Sequence, residues 1–197
     1  MKTLIVNGSP RKSGGTSVLV NRLKELLDGD ISVVDTYYSK ISPCVDCRFC
    51  WTHSECAIKD DMQQVYRIIN DADNIVIASP IYFTELTGSL LQWASRLQYI
   101  WVSKNLRKDT VILKKERYGG VILVDGGDGY MDTSLAMAKR LLRNMGAEYK
   151  DLVYYSGTGR IEPTLPDEST MENIHKLSDI LNRKVKYESK VKVLLNV

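Results

Sequence analysis

Four cysteines, Cys44, Cys47, Cys50 and Cys56, are all the thiols of this chain, and they fall within the single stretch CVDCRFCWTHSEC (44–56). The spacing C-x2-C-x2-C-x5-C serves three kinds of chemistry. Four thiolates on a short loop can wrap an iron–sulfur cubane. A Cys-x2-Cys pair can cycle as a redox dithiol with lowered pKa values. Four sulfurs, or three with His53, can take zinc, although zinc sites usually come as two separated knuckles. Spacing alone leaves all three open, and His53 reads more simply as a loop residue. The opening MKTLIV run is too brief for a secretory leader or a spanning helix, so a cytoplasmic setting is expected, in which thiols stay reduced. There a tight cysteine group points to metal or redox chemistry before structural disulfides.

A second set of candidates could hold an anionic or planar ligand. NGSPRKSGGTS (7–17) combines glycines, hydroxyls and the cations Arg11 and Lys12. It lacks the G-x-x-x-x-G-K-[ST] spacing of a P-loop, because Thr16 follows Gly15, and it lacks the G-x-G-x-x-G of a dinucleotide fingerprint. What is left is a monophosphate cradle at a helix N-terminus, or a flexible loop capped by Thr16. SPIYFTELTG (79–88) sets Pro80 as a stiff turn beside two aromatic surfaces, Tyr82 and Phe83. DGGDG (125–129) offers bare backbone, and it lacks the spaced carboxylates and terminal Glu of a calcium loop.

The elements that must position these residues follow from hydrophobic patterning. TLIV (3–6), ISVV (31–34), NIVIA (74–78), VILV (121–124) and LVYY (152–155) are short apolar runs without alternation, as a parallel sheet covered on both faces requires. Between them, helices are predicted over 16–28, with a core stripe of Val18, Leu19, Leu23, Leu26 and Leu27, and over 62–70, 88–101, 131–145 and 169–187. Five strands alternating with helices form a doubly wound α/β domain spanning 1–197. Its three loops then meet at the carboxyl edge of the strands, where such sheets bind ligands. Residues 37–61, which carry the cysteines, are too long for an ordinary connection and read as functional. A net charge of +3 and the lack of a dense basic stripe exclude a nucleic-acid footprint.

GSPRKSGGTS (8–17), KDDM (59–62) and SPIYF (79–83), in this order, resemble the NAD(P)H-dependent FMN reductase branch of the flavodoxin-like superfamily, over nearly the whole chain. The resemblance implies a five-stranded parallel sheet in the order 2-1-3-4-5. It also implies FMN, its phosphate at Ser9, Arg11, Ser13, Gly15, Thr16 and Ser17. The flavin ring would lie against Pro80, Ile81, Tyr82 and Phe83, and Gly126 and Gly127 would close the site. One departure is plain: the helix after SPIYF commonly carries Lys and Asp at its middle in this family, and here has Gln92 and Ser95. A compact cysteine group before KDDM resembles the iron–sulfur flavoproteins, which implies a [4Fe–4S] cluster on Cys44, Cys47, Cys50 and Cys56. Lys40, Arg48 and Lys59 flank it and could offset its charge, although flanking charges are more often simply solvated.

The function expected is an FMN-dependent oxidoreductase passing electrons between flavin and cluster. The partners expected are small-molecule donors or acceptors, with NAD(P)H or a ferredoxin as electron source, in a homodimer or homotetramer. Flavin chemistry asks little of side chains, so no general acid or base is assigned. The alternatives are a cluster-free NAD(P)H-dependent reductase of quinones, nitro compounds or flavins, and a non-enzymatic flavin carrier or zinc-stapled module. Asp60 and Asp61 are expected to cap the following helix. Trp93, Tyr99 and Trp101 are expected in the core or a subunit contact, and His175 as an ordinary helix residue.

Overall fold

The computed structural model describes residues 1–109, 112, 114–127, 130–156 and 166–184; Asp128 and Gly129 of the DGGDG stretch, and 185–187 of the last predicted helix, lie outside the described residues. In chain order the elements are β1 (Lys2–Asn7), α1 (Gly15–Leu26), β2 (Asp30–Asp35), α2 (Met62–Asp71), β3 (Asn74–Tyr82), β4 (Glu85–Leu86), α3 (Gly88–Ser95), α4 (Gln98–Val102), β5 (Tyr118–Val124), α5 (Asp132–Asn144), β6 (Glu148–Tyr155) and α6 (Glu168–Leu181). Five strands pair in parallel in the order β2-β1-β3-β5-β6, and β4 folds back antiparallel on β3. That hairpin is the departure from the expected five strands. It arises because β3 runs on through Pro80 to Tyr82 rather than turning at Ser79. Pro80 stands beyond Ala78, the last residue paired with β1, so no ladder N–H is required of it.

Side-chain alternation explains the unbroken apolar runs. Leu4, Val6, Ile75, Ile77, Val121 and Leu123 face a core completed by residues of α2, α3, α4 and α5. Ile5, Val76, Ala78, Ile122 and Val124 face the other core, with Leu19, Leu23, Ile174 and Leu177 of α1 and α6. Each fully buried Leu, Ile or Val among them contributes about 1.5–3 kcal/mol, so neither face of the sheet tolerates a charge. Two predicted elements need correction. Val20, not Val18, joins the stripe of α1, and Leu26 is only half-buried. The predicted 88–101 helix divides after Ser95, α4 follows, and a π-helical turn at Ser103–Arg107 ends the segment. π-turns of this kind are frequent at functional sites.

Candidate functional site

β1 ends at Asn7 beside Ala78 of β3, and Val124 of β5 lies beside Pro80, so the three candidate loops leave adjacent strands at one edge. Hydrogen bonds tie them together. Gly8 N donates to Ala78 O (2.8 Å), Thr87 Oγ1 to Gly8 O (2.9 Å) and Ser134 Oγ to Thr84 O (2.6 Å). Gly8 is required by close approach: a Cβ there would stand 2.8 Å from Leu90 Cδ1 and 2.9 Å from Thr87 Oγ1.

In the loop after β1, Ser9 Oγ and Ser17 Oγ both donate to the Arg11 carbonyl, at 3.0 and 2.8 Å. These hydroxyls therefore shape the turn and do not aim their protons outward. α1 begins at Gly15 behind Gly14, with no side-chain cap. Its first-turn N–H groups, from Gly15, Thr16 and Ser17, are the orphan donors of a helix start and suit an anion. Arg11 and Ser13 are exposed beside them and Thr16 is buried. Tyr38 braces the loop from the end of β2: its hydroxyl donates to Pro10 O (2.7 Å), and Lys12 Nζ lies 5.0 Å from its ring. The donor set fits a phosphate, with backbone amides and cations in the leading role and the serines behind them.

The aromatic turn is a two-residue hairpin. Tyr82 pairs with Glu85, and Phe83 and Thr84 between them have φ of 52° and 67°. Positive φ at both central positions defines a type I′ turn, which favours Asn and Gly. Phe83 occupies it at 100% exposure, Tyr82 is 42% exposed, and Ile81 and Pro80 are half-buried below them. A bulky residue in left-handed conformation with its ring wholly in solvent is strain without a packing return, the pattern of a ligand surface. On the neighbouring strand, Asp125 accepts from Gly127 N (2.8 Å) and from the Tyr154 hydroxyl, which fixes exposed Gly126 and Gly127 beside this hairpin. An open groove of about 850 Å³ runs along α5 from Thr133 to Glu148 and Tyr149 at the start of β6, and none of the candidate residues lines it.

The cysteine loop connects β2 to α2 and packs against the far end of α3 and α4. All four cysteines line one cavity of about 20 Å³, with Arg96 and Tyr99 also in its wall. Cys47 is exposed and the others half-buried. Burial first, then the neighbouring Cys56, Cys44 and Cys47, pushes the Cys50 thiol up. No three His, Cys, Asp or Glu side chains among the described residues converge as ligands of a single metal ion. Side chains from outside hold the loop by its backbone: Gln92 Nε2 donates to Ile41 O (3.0 Å), Ser95 Oγ accepts from Cys44 N (2.9 Å), Gln63 Nε2 donates to Ile58 O (2.7 Å) and Tyr99 OH to Ser54 O (2.6 Å). Gln92 and Ser95, the departures on α3, are thus both spent on this loop.

Arg48 pairs with Asp46 (3.6 Å) and Lys59 with Glu55, all exposed. Arg48 lines the cysteine cavity together with Arg96, which is 1% exposed, and Arg107 reaches the loop from the π-turn, its Nη1 donating to Cys50 O. Arg96 Nη1 donates to Asp60 Oδ2 (2.7 Å) and Ser42 O (2.9 Å), and its Nη2 to Ile58 O (3.2 Å) and Cys56 Sγ (3.4 Å). Burial is the largest single influence on Asp60 and would raise its pKa. Hydrogen bonds from Arg96 and Ser42 N, with the Arg96 charge, outweigh it and hold the carboxyl below its usual range. Asp61 stands at the N-cap without a side-chain cap and accepts from Lys40 N (2.9 Å). The aspartates therefore bind the loop more than they cap α2; only Asp60, accepting from Met62 N (3.1 Å), retains that role. His53 stacks on Phe49 with ring centroids 3.9 Å apart, and His175 is exposed on α6. Trp93 and Tyr99 are buried, whereas Trp101 is 43% exposed.

A doubly wound sheet with an anion cradle, an aromatic turn and bare glycines at its carboxyl edge defines a flavodoxin-like mononucleotide-binding protein. The chain belongs to the NADPH-dependent FMN reductase family, whose description matches residues 1–152, and within it groups with the iron–sulfur flavoproteins. It is 30% identical to an iron–sulfur flavoprotein of Archaeoglobus fulgidus over 85% of this chain and 73% of that one. It is 25% identical to one of Methanocaldococcus jannaschii over 81% and 82%. An NAD(P)H:quinone oxidoreductase from Methanothermobacter marburgensis shares the fold, with a TM-score of 0.65 at 17% identity over 95% of this chain and 98% of the other. The protein is an FMN-dependent oxidoreductase, and no helix among its described residues is long and apolar enough to cross a membrane.

Proposed function

We propose that this FMN-dependent oxidoreductase exchanges electrons between FMN and an iron–sulfur cluster on Cys44, Cys47, Cys50 and Cys56, in the cytoplasm. The observation that carries this reading is that all four cysteines line one cavity against the same helical segment whose first turn follows the aromatic hairpin. From Gly88 to Ser95 is two turns of helix, about 10 Å. Four thiolates from one short loop around one cavity suit a polynuclear cluster, whereas zinc sites usually come as two separated knuckles. The cavity is small, and the side that would give is the exposed strip 45–48, where Asp46 and Arg48 already hold φ of 47° and 57°.

The first turn of α1 with Arg11 and Ser13 would hold the flavin phosphate. Pro80, Ile81, Tyr82 and Phe83 would face one side of the ring, and Gly126 and Gly127 would approach its edge. Bound there, FMN supplies hydride and single-electron chemistry, and the protein sets its orientation. The exposure of Phe83 and Tyr82 leaves that surface open to a small-molecule donor or acceptor, and supports a second reading, a cluster-free NAD(P)H-dependent reductase of quinones, nitro compounds or flavins. Anaerobic purification, a visible spectrum, and assays of iron and acid-labile sulfide separate the two. About four of each per chain with one FMN are expected for a cubane. Yellow, iron-free protein that oxidises NAD(P)H would leave the second reading in place.

A further inference from the structure

We propose that Arg96 is the clasp of the cysteine loop and the positioning residue for its cluster, an inference that rests on the cluster reading for its second half. One guanidinium reaches both stems of the loop. Nη1 binds Ser42 O ahead of the first cysteine and Asp60 beyond the last, and Nη2 binds Ile58 O while donating toward the Cys56 sulfur. The geometry needs arginine, because a planar fork with several donors spans four acceptors and lysine's single point charge does not. The backbone of the clasp is itself pinned, since Tyr66 OH donates to Arg96 O (2.9 Å). Arg96 is 1% exposed, and its buried Nε has no hydrogen-bond partner among the described residues.

Two consequences follow. The loop is held by the protein before any metal arrives, with Arg96 tying its two stems together while Ser95 holds Cys44 N. Once a cluster is bound, Cys56 carries a charged hydrogen bond from the protein, and hydrogen bonds to cluster sulfurs, like added positive charge, set reduction potential. Arg96 stabilises the more negative, reduced state and raises the potential.

The test uses the whole 197-residue chain with FMN bound, as wild type, Arg96→Lys, Arg96→Gln and the double variant Arg96→Gln with Asp60→Asn, which leaves no unpaired buried carboxylate if the single variant fails to fold. In metal-free protein, amide hydrogen exchange across residues 42–60 should quicken at least tenfold in Arg96→Gln and the double variant, with the central strands unchanged. Unchanged exchange in the loop overturns the clasp. After anaerobic reconstitution with iron and sulfide, the cluster of Arg96→Gln should be at least tenfold harder to reduce, a shift of about 59 mV to the negative side for one electron, with Arg96→Lys recovering part of it, and the double variant, which also loses the Asp60 charge, moving in the same direction by less. An unmoved potential overturns the positioning role. A wild-type chain that takes up no iron overturns the cluster reading and the role built on it, while hydrogen exchange still decides the clasp.

Discussion

At the scale of single residues, arginines entering the loop from neighbouring helices decide its shape, and each brings a carboxylate. Arg107 presents Nε and Nη2 to Asp109 at 2.8 and 3.0 Å, and Ser103 and Ser54 donate to the same carboxylate at 2.6 and 3.0 Å. The Arg107 hydrogen bond first, then Ser103, holds Asp109 down to about 2, against a smaller opposing effect of burial. A carboxylate depressed in the folded state contributes stability that is present above its unfolded pKa and lost as pH falls through the folded one. The window therefore runs from about pH 4 down to about 2. After solvent screening of a partly exposed pair the contribution is about 1 kcal/mol. Denaturant unfolding of wild type and Asp109→Asn across that window should converge as pH falls. Parallel curves would show that the pair contributes nothing. These partnerships were hard to read beforehand. Arg96 follows Leu90 and Trp93 on the buried face at helical spacing, a cue that it points inward, but nothing local says that it meets Asp60. Arg107 depends on a π-turn that periodicity does not predict.

At the scale of elements, the patterning read well wherever both faces of a strand are covered, because unbroken apolar runs there have a single physical meaning. The cores on the two sides of β1, β3 and β5 follow from it directly. It read poorly where tertiary contacts override local preference, as in the hairpin of β3 and β4. Phe83 and Thr84 are poor residues for a type I′ turn, so propensity gave no signal for β4. That conflict yields a prediction of opposite signs. Phe83→Asn with Thr84→Gly relieves left-handed strain and should raise stability by about 1 kcal/mol. On the proposed site it also removes an aromatic surface for the flavin ring and should weaken FMN binding about tenfold, the equivalent of about 1.4 kcal/mol. Calorimetry and flavin fluorescence titration on one sample read both. Unaltered FMN affinity would remove Phe83 from the site. Gly8→Ala should act differently. Its Cβ would press on Leu90 and Thr87, where α3 meets the sheet edge, and should cost about 1–3 kcal/mol of stability in the denaturation midpoint.

At the scale of the whole molecule, the candidate flavin edge and the cysteine loop share α3 but are built from separate supports. The flavin edge rests on adjacent parallel strands and the start of α1. The loop rests on backbone bonds to Gln63, Gln92, Arg96, Tyr99 and Arg107, and Ser95 receives Cys44 N; apart from the Arg96 contact with Cys56, none of these bonds uses a thiol. Removing the sulfurs should therefore leave the supports standing. The variant with Ser at positions 44, 47, 50 and 56 is expected to retain one FMN per chain and to differ from metal-free wild type by about 1 kcal/mol or less, because one exposed and three half-buried sulfur-to-oxygen changes empty little of the core. Iron and sulfide should fall to background in the same preparation, and NAD(P)H oxidation with a quinone acceptor should persist if the flavin is reduced directly. FMN occupancy by absorbance and unfolding by denaturant give the comparison. Loss of flavin along with the sulfurs would mean that the loop is part of the flavin site, and that α3 transmits more than position between the two.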